Sequence, residues 1–190
     1  MSTTQIGALT TAQTAALSTS VLGSLSTTQL QAISTKNIAA LSTSQAANLS
    51  TTVLGNLTTA QLKAIETKDI AAMSTTQLGA LTTTQVGSLV TAQLAALSST
   101  QVGSLGAKLS TGQITALTTT QVAGVSTTTM AALSTAQLVA ISTKDIAALS
   151  TAQLSAVSTA NLASLTTTQI TAMTTCLLYT SDAADEEDSV

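Results

Sequence analysis

The chain of 190 residues contains no proline, histidine, tryptophan, phenylalanine or arginine, and only one cysteine and one tyrosine. Only 7% of its residues are charged and 1% are aromatic, which excludes an ordinary globular composition. Without imidazole, guanidinium or a second thiol, most catalytic kits and Cys/His metal clusters cannot be assembled. No enzymatic activity is expected, and no catalytic, cofactor-binding or metal-ligating residue and no cofactor is predicted. Five scattered lysines (Lys36, Lys63, Lys68, Lys108, Lys144) supply neither a basic stripe nor an aromatic platform, so a nucleic-acid partner is not expected. The mean hydropathy is +0.44, yet every apolar pair is soon followed by Ser, Thr or Gln. No window reaches the roughly 18 to 20 apolar residues of a transmembrane span. The start Met1-Ser2-Thr3-Thr4-Gln5 lacks the basic and apolar regions of a signal peptide.

What is present is a repeat. The chain divides into octads of the form [S/T]-T-x-Q-[I/L/V]-x-[A/S]-[L/I], thirteen in residues 2–105 and eight in residues 110–173. Gly106-Ala107-Lys108-Leu109 stands outside this register. Position 2 is Thr except at Ser99, and position 4 is Gln in fourteen units, with Asn37, Asp69, Asp145 and Asn161 as polar substitutes. Position 5 is aliphatic except at Thr14 and Ala46, and position 8 is always Leu, Ile, Val or Met. A weaker echo returns Val21-Leu22-Gly23-Ser24-Leu25 as Val53-Leu54-Gly55-Asn56-Leu57, 32 residues later. It marks either four units per superhelical turn or the length of an old duplication.

Position 1 followed three residues later by Gln is the spacing of a capping box, as in Ser26 with Gln29 or Ser134 with Gln137. The hydroxyl accepts from the backbone N–H of position 4, whose side chain reaches back to the cap's own N–H. Positions 5 and 8 then fall on one helical face. Each octad reads as a two-turn helix, and the chain as an all-α solenoid or superhelix of stacked short helices. A single long helix fails because an apolar spacing averaging four residues drifts round the axis. A Thr-rich β-solenoid is the alternative, since Thr, Val and Ile favour strands, but positions 5 and 8 would face opposite sides of a strand. Two aliphatics per octad cannot offset the entropy of ordering eight backbones, so stability has to come from neighbours sharing one core. The insertion either lengthens the helix to 99–109 or makes a hinge at Gly106.

Both ends look artificial. The run from Cys176 to Glu186 resembles the translation of a DNA sequencing adapter, so residues 176–190 are expected to be a non-native, disordered tail. That tail carries the lone Cys, the lone Tyr (Tyr179) and five of the eight acidic residues. Residues 1–175 then carry five lysines against Glu66, Asp69 and Asp145, a balance of +2 where the whole chain has −3. Met1 occupies position 8 of an octad, as Met73 and Met173 do, so the chain reads as a slice of a longer array. The expected organisation is a repeat array over 1–105, an insertion at 106–109, a second array over 110–175 and the tail at 176–190.

The tracts Leu133-Ser134-Thr135-Ala136-Gln137-Leu138-Val139-Ala140-Ile141 and 81–89 resemble the octapeptide repeats of large bacterial secreted or surface, adhesin-like proteins. The resemblance implies an extracellular or cell-surface parent and carries no site residues across. The expected role is a non-enzymatic spacer or adhesive segment, whose partners would be a surface, a glycan or further copies of the repeat. The alternative is a ligand-binding solenoid that presents the position 2 threonines to ice or carbohydrate. Weaker motifs are the sequons at Asn48 and Asn56, Lys108 in a phosphate-loop-like stretch, and the pairs Lys68–Asp69 and Lys144–Asp145. Solvated helix starts explain those pairs more simply than a recognition face does.

Overall fold

The computed structural model describes residues 1–173. Those residues fold into a run of short helices from Thr3–Gly7 to Thr159–Leu162, with a further helical segment at 167–173, and they contain no strand. The protein is thus a helical repeat solenoid, and the β-solenoid alternative is overturned for the described residues. The tail at 176–190 lies outside them.

One octad explains the rest. Thr58 has extended backbone dihedrals (φ −69°, ψ 158°), and its hydroxyl accepts from the Gln61 N–H at 3.2 Å while its own N–H donates to Gln61 Oε1 at 3.0 Å. The same reciprocal box recurs at Ser2, Ser26, Ser74, Ser98, Ser110 and Ser150, among others. Helices begin at position 2, where the box places them. They are shorter than two turns, however: most have five residues, from Thr27–Gln31 to Thr151–Ser155. The cause lies at the far end of the unit. The position 8 N–H donates to the position 5 carbonyl only three residues back, as from Ile33 to Leu30 at 3.1 Å. This tightened last turn ends the helix, because the next residue must be extended to cap its successor.

Positions 5 and 8 face a single aliphatic core. Leu62, Leu78 and Ile70 at position 5, and Ile65, Leu81 and Met73 at position 8, are all at most 2% exposed. Position 3 is exposed in every octad. Most helices pack on the one three octads further along, as Thr35–Ala39 does on Thr59–Ala64, and Thr67–Ala71 on Thr91–Ala95. One superhelical turn therefore holds between three and four octads. The turn is shorter than the 32-residue echo, which is not its pitch, and each helix lies over the junction of two helices beneath it.

The insertion neither extends the preceding helix to 109 nor leaves the stack. The helix Ser99–Leu105 stops at Gly106, whose φ of 55° and ψ of −139° suit glycine alone. Residues Gly106–Lys108 then form one 3₁₀ turn that packs on the helix Thr83–Ser88. Leu105 and Leu109 are both buried. Four residues take the place that a whole octad takes elsewhere.

Candidate functional site: the glutamine column between layers

The short helices leave a problem of hydrogen bonding. The carbonyls at positions 6 to 8 have no partner within their own helix, that at position 5 takes only the tightened bond from position 8, and those at positions 5 and 8 line the interior. Position 4 of the layer above supplies the donors. Gln61 Nε2 donates to the Leu30 and Ile33 carbonyls, both at 2.8 Å. Gln85 does the same to Leu54 and Leu57, Gln93 to Leu62 and Ile65, and Gln121 to Leu94 and Leu97. The glutamine oxygen meanwhile accepts from the N–H of its own cap. One side chain thus closes the start of its own helix and the end of another, 28 residues earlier at Leu17 for Gln45 and at Leu49 for Gln77.

Sequence reasoning found the capping half of this role and missed the bridging half. A signal for it was present: a capping box works with Glu as well as Gln, yet position 4 is never Glu in the described octads. The box alone does not need an amide N–H. The bond to the layer beneath does.

Some exceptions at position 4 keep a donor, whereas Val21 and Val53 have none to offer. Asn37 and Asn161, shorter by one methylene, still reach the Leu9 and Leu133 carbonyls at 2.7 and 2.8 Å. Thr129 donates its hydroxyl to the Gly103 carbonyl at 3.1 Å. Asp69 and Asp145 cannot donate. Asp69 accepts from the Thr43 hydroxyl at 2.5 Å, and Asp145 from Ser142 at 2.6 Å. In the four-residue unit Lys108 takes over, its Nζ donating to the Gly79 and Leu81 carbonyls at 2.6 and 2.8 Å. Gln137, one turn later, bonds the Ala107 and Leu109 carbonyls as though they closed an ordinary octad.

The weaker sequence motifs are absorbed by local structure. Asp69 and Asp145 are buried, so neither completes an exposed face with its lysine neighbour. Lys68 pairs with Glu66 at 2.6 Å, and that carboxylate's hydrogen bond and charge hold its ammonium above the ordinary lysine value. Asn48 Nδ2 donates to the Ser44 carbonyl, and the Asn56 carbonyl accepts from Gln31. The position 2 threonines lie mostly exposed. Thr43 and Thr135, however, meet position 4 of the next layer, Asp69 and Asn161. The stagger between layers therefore sets threonine beneath position 4 rather than beneath another threonine.

Two further exceptions meet each other. Ser99 is the sole non-threonine at position 2, and Gly124 the sole glycine at position 7. A Cβ built on Gly124 would run into the Oγ and Cβ of Ser99, where the helix Thr119–Ala123 crosses the helix Ser99–Leu105. Close by, a core cavity of about 20 Å³ lies among Val102, Leu109, Val122, Thr129, Met130 and Leu133. It is about the size of one water molecule, too small for a substrate or cofactor. Among the described residues no cluster of three His, Cys, Asp or Glu side chains is placed to hold a metal ion, and no helix is long and apolar enough to cross a membrane.

No curated protein and no solved structure matches the chain. A profile of the ALTTAQ repeat matches residues 21–51, 54–91, 62–99, 78–107 and 138–175, together more than half of its length. That hexapeptide stands at Ala8-Leu9-Thr10-Thr11-Ala12-Gln13, joining the end of one octad to the capping box of the next. The chain belongs to the ALTTAQ repeat family.

Proposed function

We propose that the chain is a non-enzymatic spacer, an extensible segment of a bacterial secreted or surface protein whose length is set by its number of octads. The observation that carries this reading is the glutamine column. The chain's recurrent long polar side chain is committed at both ends to holding octads together, so the bond that joins one layer to the next is repeated at each new layer. Such an array grows by duplication without redesign, because each added unit makes the contacts its predecessors made. Low overall charge and a position 3 that is exposed throughout, with small residues apart from Lys36, Lys68 and Lys144, suit a shaft that holds other parts at a distance. The secreted setting rests on the resemblance to adhesin-like octapeptide tracts.

The test varies octad number. Chains lengthened or shortened by seven octads, near two turns, should change in axial length in proportion, measured by small-angle X-ray scattering. Ice-recrystallisation and glycan-array assays on the same chains should give no signal. A specific signal would favour instead the ligand-binding solenoid, with the exposed threonines as its surface. A length that does not follow octad number would overturn the spacer reading.

A further inference from the structure

One buried side chain is at odds with its surroundings. Asp69 is 1% exposed and stands at position 4, where most units set an amide donor against the layer beneath. Asn161 shows how a side chain of that shape fits there. Its Oδ1 accepts from the Thr135 hydroxyl, 26 residues earlier, and its Nδ2 donates to the Leu133 carbonyl, 28 residues earlier, at 2.8 Å. Asp69 keeps the first of these bonds, its Oδ1 accepting from the Thr43 hydroxyl, also 26 residues earlier. Asp and Asn have the same shape, so Asp69 Oδ2 falls where the amide nitrogen stands in Asn161. It is set against the Leu41 carbonyl, 28 residues earlier.

A carboxylate there puts two acceptors face to face in a place shut off from water, which is unfavourable. No donor among the described residues reaches the Leu41 carbonyl. The nearest cation in sequence, Lys68, pairs with Glu66 at 2.6 Å. The helices packed on Thr67–Ala71, which are Thr43–Ala47 and Thr91–Ala95, carry no charged residue, and Lys36 in the octad beneath is exposed. Asp145 is placed otherwise, with its Oδ2 turned to the Ser142 hydroxyl of its own cap at 2.6 Å. The conflict at Asp69 is thus local, and one proton resolves it.

We propose that Asp69 is an acid-sensitive joint between layers: on acidification its Oδ2 takes a proton from water and donates it to the Leu41 carbonyl, completing the contact that Asn161 makes with Leu133. One proton is bound and no covalent bond of the chain changes. The carboxylic acid then does the work of the amide at other position 4 sites, while Oδ1 keeps its bond from Thr43. The new bond exists only in the folded stack, so its stabilisation is present in acid and lost as the carboxyl ionises. The proposal stands apart from the spacer reading, which concerns the length of the chain and not the strength of one joint.

Thermal unfolding of the full chain and of Asp69→Asn, followed by circular dichroism at about pH 4 and about pH 7, either side of the ordinary carboxylate range, tests it. The variant carries a permanent donor in the same shape. At the higher pH it should unfold about 2–6 °C above the parent, and at the lower pH that margin should shrink to less than half, because the parent's acid then donates as the amide does. Glu66 and Asp145 are present in both chains, so their own titration cancels in the difference. A margin that is the same at both pH values, or no margin at the higher one, overturns the proposal. So does a margin abolished at the higher pH by millimolar calcium, which would set a metal ion and not a proton beside the carboxyl.

Discussion

An ordinary octad and the four residues Gly106–Leu109 occupy equivalent places in the stack by different chemistry. The octad spends four residues on a cap and a helical turn before its apolar pair begins. The short unit has no cap and keeps a single buried apolar residue, Leu109. The bend that two consecutive extended residues make elsewhere is made here by Gly106 at positive φ. The amide donor that Gln supplies elsewhere is replaced by the Lys108 ammonium. What the stack requires of a unit is therefore one inward aliphatic and carbonyls offered to the layer above, and most units add a donor aimed at the layer beneath, which those with Val53, Asp69 and Asp145 at position 4 do without. The helix is one means of arranging these.

The largest effect should come from the regular part of the column. Gln61→Glu keeps the acceptor for the Thr58 N–H but sets a carboxylate, 2% exposed, against the Leu30 and Ile33 carbonyls. The expected loss is about 3–5 kcal/mol, that of a buried uncompensated charge, read from urea unfolding followed by circular dichroism. The same change at exposed Gln5 should stay within about 0.5 kcal/mol. Equal effects at the two sites would mean that the column is ornament.

Around the short unit the expected losses are smaller and of another kind. Gly124→Ala drives a methyl into Ser99 and should cost about 1–3 kcal/mol by overpacking. Ser99→Gly should recover most of that loss in the double variant, although neither glycine is favoured in a helix. A double variant no better than Gly124→Ala alone would show that the two exceptions are independent. Lys108→Met removes the donors to the Gly79 and Leu81 carbonyls and should cost about 1–2 kcal/mol. That is less than Gln61→Glu, because no charge is left buried and the site is half open to water.

The comparison also shows where sequence was sufficient. The start of each helix was legible because capping is local: Ser or Thr at position 1 and Gln at position 4 lie within one turn, and both bonds form within eight residues. The inward face was legible for the same reason, since positions 5 and 8 differ by three. Helix length was overestimated because the next cap's need for extended backbone reaches back into the preceding unit. The partners of Gln61, Asn37 and Lys108 lie 27 to 31 residues away, a separation fixed by the superhelix and not by any local rule. The role of Gly106-Ala107-Lys108-Leu109 was hidden likewise. As sequence it breaks the register, and only the stacking of Gln137 on Leu109 and Lys108 on Leu81 returns it to the series.

The smallest predicted effect is a gain, and it tests whether a cap matters beside the short unit as it does elsewhere. Val90 occupies position 1 of its octad, is 43% exposed and offers no acceptor to the start of the helix Thr91–Ala95. Its own N–H still donates to Gln93 Oε1 at 3.1 Å, so half of the box exists. Its backbone is already extended, with φ −82° and ψ 157°, as at the Ser caps. Val90→Ser should therefore supply the missing acceptor without rearrangement, for about 1 kcal/mol of added stability. The octad 90–97 lies under Gln121, on the layer that the short unit joins, so tightening it should raise the thermal midpoint and slow amide exchange at Thr91 to Gln93. Glu66→Ser gives the matching measurement in the regular part. Glu66 also makes no side-chain cap, but its replacement gives up the exposed pair with Lys68, so the net gain there should be the smaller of the two. A larger gain at Glu66 than at Val90 would mean that the layer beside the short unit is too loosely held for a better cap to stabilise it.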